Sequence, residues 1–447
     1  MSTPTRQLHL NAFLMAVGHH EGAWRLPESR PDQVTSLEHY VHLTQLAEDA
    51  KFDSIFFADS LSVGHNIRHN SLGPLDPLTL LFALAARTSK IGLIATVSTT
   101  FTEPYDTARK FASLDHLSSG RAGWNIVTSG NLADAGNFND YALDHATRYR
   151  RSEEFLDVAT ALWDSWEDDA FVGDKAAGVF AETDRVHEID HRGEFFQVRG
   201  PLTTPRSPQG WPLLVQAGSS EDGRSFAARR AEAIFTAHQR IEDAQEFYAD
   251  VKARAAAVGR DPDQLIILPG LAPIIGSTDE EVRRRSQELD DSIVTDYAVQ
   301  QLSNLLEYDV SALPLDARLP DLSAHAEQTQ GNQSRAILIA GLANREQLTI
   351  RQLLGRLGAG RGHFVLAGRP EQIADHIETW FHNGAADGFN IMSPRLPGSL
   401  IDFIEQVVPI LRERGLFRTE YEGATLREHY GLPRPAGHSR TTAGRAA

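Results

Sequence analysis

The feature that most constrains this chain is an alternation. Eight short apolar runs recur along its length, with longer amphipathic stretches between them. The runs are LHLNAFLM (8–15), SIFFAD (54–59), IGLIATVSTT (91–100), AGWNIV (122–127), LLVQAG (213–218), AIFTAH (233–238), LIILPGLAPII (265–275) and FNIMS (389–393). Stretches at 37–50, 76–88, 105–117, 149–166, 220–231, 243–257 and 370–382 carry apolar residues at helical spacing. Repeated βα alternation requires parallel strands joined by helical crossovers. Eight such units predict a closed α/β TIM (β/α)8 barrel rather than an open sheet. An open nucleotide-binding sheet needs a glycine-rich phosphate turn after its first strand. The segment here, GHHEGAWR at 18–25, is not one.

Two segments exceed the simple repeat. Residues 167–212 contain VHEIDHRGEFFQVRGP, which predicts a hairpin turning at Asp190–Gly193. Residues 276–388 hold helical stretches, a polar run and GRLGAGRGHFVLAG, and are expected to form a lid over the barrel mouth. The expectation is one barrel domain over 1–435 with these insertions, and a mobile tail over 436–447 rich in Gly, Ser, Thr and Arg.

Residues 104–131, PYDTARKFASLDHLSSGRAGWNIVTSGN, read as helix, tight turn, buried strand and polar end. Asn125, Thr128, Ser129 and Asn131 fall at or just beyond the C-terminal end of a strand, where barrels of this kind bind ligands. Other strand ends supply Asp59, the hydroxyls Ser98, Thr99 and Thr100, and the adjacent His19 and His20. Each has an ordinary alternative: Asp59 as a helix cap, the threonines as strand formers, the histidines as packing groups. Their convergence at one end of a barrel makes a site. Gln216-Ala217-Gly218-Ser219-Ser220 leads into a helix, whose free N–H groups and dipole suit a phosphate. His145 and Tyr149 lie four apart and share a face if their helix starts early enough.

His187-Glu188-Ile189-Asp190-His191 matches H-E-x-x-H. A zinc site would need both histidines on one helical turn. In a strand they lie about 13 Å apart, so no metal is expected. Gly358–Gly362 lacks the context of a nucleotide loop and is expected to be a glycine hinge.

Composition removes whole classes of function. The chain has no cysteine, which excludes disulfides, thiolate nucleophiles and iron–sulfur clusters. A net charge of −17 argues against nucleic-acid binding. No apolar run is long enough to cross a membrane, and the N-terminus lacks a signal-peptide pattern, so a cytoplasmic location is expected. Redox chemistry without cysteine or metal would need a bound organic cofactor.

The segments FFADS, STTFTEPYDTARKFASLDHLSSGRAGWNIVTS, DHATRYRRSEEFL, LLVQAGSSEDGRSFAARRAEAIF, GHHEGAWR and VVPILRERGLFRTEY resemble, in order and spacing, the flavin-dependent monooxygenases of the bacterial luciferase-like superfamily. The resemblance is to the nitrilotriacetate and dibenzothiophene-sulfone monooxygenase branch. It implies a two-component FMN-dependent monooxygenase that takes reduced FMN from a separate NAD(P)H:flavin reductase. With O2 it would oxygenate a small organic substrate such as an amine or a sulfone. It also implies a homo-oligomer, dimer or tetramer. Asp59, Thr99, His145, Tyr149 and Ser220 match that branch's flavin-contact positions, with Asn125 and Ser219 as neighbours. His19, His20 and His145 are the candidate catalytic groups, and Arg25 a candidate substrate contact. A barrel hydrolase or lyase using Asp59 and a histidine, and a non-catalytic flavin-binding protein, are the alternatives.

Overall fold

The computed structural model describes residues 6–437 apart from 64–66, 70, 72, 74, 330–332 and 361. The expected tail, from 438 onward, lies outside the described residues. Each of the eight apolar runs contains a strand: β1 His9–Phe13, β2 Ser54–Phe57, β3 Gly92–Ser98, β4 Ala122–Val127, β5 Leu213–Gln216, β6 Ala233–Thr236, β7 Ile266–Ile275 and, late in the chain, β9 Gly388–Ile391. Between the last two lies one strand that the sequence does not announce, β8 Phe364–Gly368. The sheet runs β6-β5-β4-β3-β2-β1-β9-β7-β8, and a further β6–β7 pairing closes it into an eight-stranded parallel barrel.

β7 serves two levels. Ile266–Pro269 pair with β6, and Leu271–Ile275 pair with β8 above the ring. The crossover helices are α1 Leu37–Asp49, α2 Pro77–Ala85, α3 Pro104–Leu117, α4 His145–Trp163, α5 Glu221–Arg230, α6 Ile241–Ala257 and α11 Pro370–His382. The α4 helix begins four residues earlier than its apolar pattern suggests. Asp144 caps it by accepting from Thr147 N at 2.9 Å.

Alternation along each strand separates two cores. Trp124 points outward onto Phe155 and Trp163, whereas Asn125 points inward. The barrel interior is filled by Phe13, Phe56, Ile94, Leu213, Val215, Phe235 and Leu268. Burial of one such side chain is worth about 1.5–3 kcal/mol. Leu426, Tyr430 and Leu432 of the C-terminal segment join the same cluster and plug the barrel from the N-terminal ends of its strands.

A buried ionic frame holds that plug. Arg427 grips Glu232, just before β6, with Nη1–Oε1 at 2.6 Å and Nη2–Oε2 at 2.8 Å. Arg418 bonds Asp53, just before β2, at 2.6 Å, and Asp53 also meets His9 at 2.9 Å and Leu10 N at 2.8 Å. Burial alone would push the Asp53 carboxyl up, but Arg418 and His9 outweigh it and hold it below the ordinary value.

The segment after β4 forms two antiparallel hairpins, Phe171–Asp174 with Val179–Ala181 and His191–Arg192 with Gln197–Val198. The second turns at 193–196, because His191 and Arg192 pair as strand. The segment after β7 forms α7 Asp279–Asp291, α8 Thr295–Leu306, α9 Gln333–Glu346 and α10 Ile350–Gly360; the last three share a core around Leu302, Leu306, Ile339 and Leu353, while Leu289 of α7 packs on Ile274 of β7. Gly358–Gly360 complete α10 instead of forming a hinge.

This helical unit is fastened to the loop after β1. Glu21 N donates to Gly358 O at 2.9 Å, and Arg25 Nη1 to Ser292 O at 2.5 Å. A Cβ on Gly22 would sit 2.0 Å from Ser292 Oγ, so only glycine permits that approach.

Removing one partner from a buried ion pair leaves the other charge uncompensated. Arg427→Ala should therefore lower unfolding free energy by about 3–5 kcal/mol, read from the midpoint of urea denaturation.

Candidate active site at the barrel mouth

The polar strand ends gather at the C-terminal face. Thr99 is buried, and its N–H and Oγ1 both donate to Val127 O, at 2.9 and 3.2 Å. Its carbonyl accepts from Arg151 Nη1 at 2.9 Å. Arg151, buried on α4 with its guanidinium 4.3 Å from the centre of the Phe196 ring, thus ties the β3 end to that helix. Sequence reasoning missed it, although its spacing of four from Phe155 places it on the buried face.

Asn125 is fixed by a directional chain. Thr96 Oγ1 donates to Phe57 O at 2.9 Å, so it receives from Asn125 Nδ2, also at 2.9 Å. The amide orientation follows, and Asn125 Oδ1 remains a buried acceptor with no hydrogen-bond partner among the described residues. Asn390 Oδ1 on β9, also inward, is in the same condition. Such atoms cost about 1–3 kcal/mol when unpaired, so the interior at this level suits a ligand bearing N–H donors.

Asp59 follows β2 and accepts from Ser60 N at 2.8 Å. Partial burial pushes its carboxyl up to about 6, assisted by Asp76 and Asp134 and opposed by the Ser60 bond.

Across the mouth, α4 and α5 bring four expected residues together. His145 Nδ1 lies 3.1 Å from Asp222 Oδ2, and the rings of His145 and Tyr149 lie 4.9 Å apart. Tyr149 packs edge-on against Phe226 of α5 at 5.9 Å. Ser220 caps α5 by accepting from Gly223 N at 3.1 Å, with Ser219 just before it. The acidic groups in that first turn are paired, Asp222 with His145 and Glu221 with Arg254.

His19 and His20 are both buried, since β1 ends at Phe13 and the chain turns inward. His19 Nε2 donates to Phe13 O at 2.9 Å, which fixes the tautomer with Nδ1 as the acceptor of the neutral ring. His20 Nδ1 accepts from Gly22 N at 3.1 Å. Arg25 is exposed and serves the Ser292 carbonyl. Asn131 caps a short helix by accepting from Ala133 N at 3.0 Å.

The H-E-x-x-H segment is not helical: residues 187–190 lie outside any helix or strand, and His191 begins a short strand. His187 meets Glu167 at 2.8 Å and His191 meets Glu154 at 3.0 Å, two separate partners. Among the described residues no group of three or more His, Cys, Asp or Glu could hold a metal ion. No described helix is long and apolar enough to cross a membrane.

Residues 12–388 match the family described as luciferase-like monooxygenase. The chain is 48% identical over 437 residues to the N-acetyl-S-(2-succino)cysteine monooxygenase of Bacillus subtilis, spanning 97% of this chain and 99% of that protein. It is 45% identical over 444 residues to nitrilotriacetate monooxygenase component A of Aminobacter aminovorans, spanning 96% and 97%. A crystal structure of riboflavin lyase with modified FMN and riboflavin aligns with a TM-score of 0.84 at 35% identity, over 95% of this chain and 96% of that one. With a family match across most of its length and relatives matched nearly end to end, the chain belongs to the luciferase-like monooxygenases.

Proposed function

We propose that the barrel mouth holds reduced FMN, with the polar edge of its ring system at Asp59, Thr99 and Asn125 and its phosphate at His145, Tyr149, Ser219 and Ser220. The oriented Asn125 Oδ1 acceptor is the observation that carries this. A reduced isoalloxazine presents ring N–H donors, which that atom can receive. The α5 N-terminus offers backbone N–H groups beside hydroxyls, the chemistry a phosphate needs. Reduced FMN supplies the electrons that activate O2 for transfer of one oxygen atom to a small organic substrate.

The chain's own residues position the reactants. Arg151 and the Thr96–Asn125 chain hold the β3 and β4 ends rigid. Phe13, Phe56 and Phe235 form an apolar floor. The helices after β7 cover the approach and exclude water. His19, held as one tautomer by the Phe13 carbonyl, is placed to accept a proton at Nδ1. His20 and His145 act on geometry, through the β1 loop and the α4–α5 junction.

Reduced flavin arrives from a separate NAD(P)H:flavin reductase, as the component A designation of the Aminobacter aminovorans relative suggests. Assembly as a homodimer or homotetramer, one barrel domain over 1–435 and a cytoplasmic setting belong to the same proposal. A flavin-free hydrolase has no place in it.

Anaerobic titration with reduced FMN followed by oxygen should give saturable binding and substrate-dependent oxygen uptake. Turnover without flavin or oxygen would refute the assignment. Tyr149→Phe and Ser220→Ala should each weaken reduced FMN about tenfold to a hundredfold, the worth of one hydrogen bond to a charged acceptor. Fluorescence titration measures it.

The raised Asp59 value sets a pH dependence. Its folded value lies above the ordinary carboxylate, so ionisation costs stability as pH rises from about 4 to about 6. A ring N–H donated to Asp59 favours the ionised form. Affinity for reduced FMN should therefore rise as pH climbs through about 6, and Asp59→Asn should abolish that rise.

A further inference from the structure

The protein is strongly acidic as a whole, with a net charge of −17, yet one point above the barrel floor is basic. His363, buried at the start of β8, stacks face to face on Phe235, with centroids 4.7 Å apart and planes at 1°. Phe235 in turn meets Phe13 at 5.5 Å and Phe56 at 5.8 Å. His363 therefore lies directly on the aromatic floor of the interior.

Arg335, from the first turns of α9, reaches this ring. Its Nη2 lies 3.3 Å from His363 Nε2. Arginine can only donate, so Nε2 is the acceptor and His363 is neutral. Burial holds its pKa well below the ordinary value, and the positive charge of Arg335 beside it adds to that. The titratable groups acting most strongly on His363 are Arg335, His19 and His238, all basic. Gly362 lets the guanidinium lie against the backbone, since a Cβ there would come within 2.6 Å of Arg335 Nη1. Gln239 Nε2 fixes that turn by donating to Gly362 O at 2.8 Å.

A guanidinium presents its N–H donors in a planar fork that matches a carboxylate. The bond to His363 sets the plane of this fork, above an apolar floor, where a charge–charge contact is screened little. We propose that Arg335 recognises a carboxylate of the substrate, with His363 as its positioning residue, so that this enzyme oxygenates anionic, carboxylate-bearing small molecules. The proposal rests on the mouth being the oxygenation site, and it names the substrate class of that site. Both residues come from the segment between β7 and β9, so the choice of substrate is separate from the strand-end residues assigned to the flavin.

The test is calorimetric titration of the protein with N-acetyl-S-(2-succino)cysteine and with its trimethyl ester, alongside fluorescence titration with reduced FMN. The acid should bind at least about tenfold more tightly than the ester, the scale of one charged hydrogen bond. Arg335→Gln should weaken the acid about tenfold to a hundredfold while leaving the ester and reduced FMN unchanged. Arg335→Lys, which keeps charge but loses the fork, should fall between. His363→Phe keeps the stack on Phe235 and should raise KM for the acid with little change in kcat.

No binding of the acid to the unaltered protein, equal affinity for acid and ester, or an Arg335→Gln variant that binds the acid as well as the parent would overturn the proposal. Loss of reduced FMN binding in the unaltered protein would instead strike the flavin assignment.

Discussion

A parallel sheet has two unpaired edges, and this fold depends on hiding both. β7 meets β9 on one side and β6 on the other, so the hydrogen-bond ring has no end. Closure forces alternate residues of every strand into one interior. That is why Asn125 faces inward while Trp124 joins the helical layer, and why three phenylalanines can meet on three strands far apart in sequence. Closure also brings the strand ends into a single rim, so that Asp59 and Thr99, which follow β2 and β3, stand at the same end of the barrel.

The two ends of the barrel are electrostatically opposite in purpose. At the N-terminal ends, buried arginines meet carboxylates: Arg427 the half-buried Glu232, Arg418 the fully buried Asp53. Those pairs compensate desolvation and keep the C-terminal segment in place as a plug. At the mouth, buried polar atoms carry chemistry that the fold itself does not use up. Asn125 Oδ1 and Asn390 Oδ1 lack hydrogen-bond partners among the described residues, and Asp59 sits with a raised carboxyl. A protein stabilised at one end can tolerate that cost at the other.

Strands were legible in the sequence because parallel barrel strands are apolar on both faces, as in SIFF and AGWNIV. The polar ends were legible because Asp59, Thr99 and Asn125 interrupt or follow those runs. What could not be read was anything that depends on two distant segments meeting. β8 is absent from the pattern because its partner is the upper half of β7, and FVLAG has neither alternation nor strong burial. Arg335 and His363 stand 28 residues apart on separate elements, so no spacing rule joins them. The start of α4 was misplaced because a cap, Asp144, decided it rather than the apolar repeat. The Gly358–Gly362 run reads as a hinge from composition, but its first three residues lie within a helix that packs against the β1 loop.

The two-level strand β7 has a consequence for how such a protein can diversify. Its lower half completes the ring, pairing with β6 over Ile266–Pro269 and with β9 at Gly270 and Leu271, while from Leu271 onward it carries β8 and stands beside the helices of the same insertion. The register that closes the barrel is thus settled below the point, after Ile275, where the helical insertion departs. Helices there can be lengthened, exchanged or rebuilt without reopening the ring, provided the fastening at Gly22 and Ser292 survives. One scaffold can in this way keep its closed ring constant while its upper storey is rewritten, and the strand running through both storeys keeps the new layer aligned over the old one.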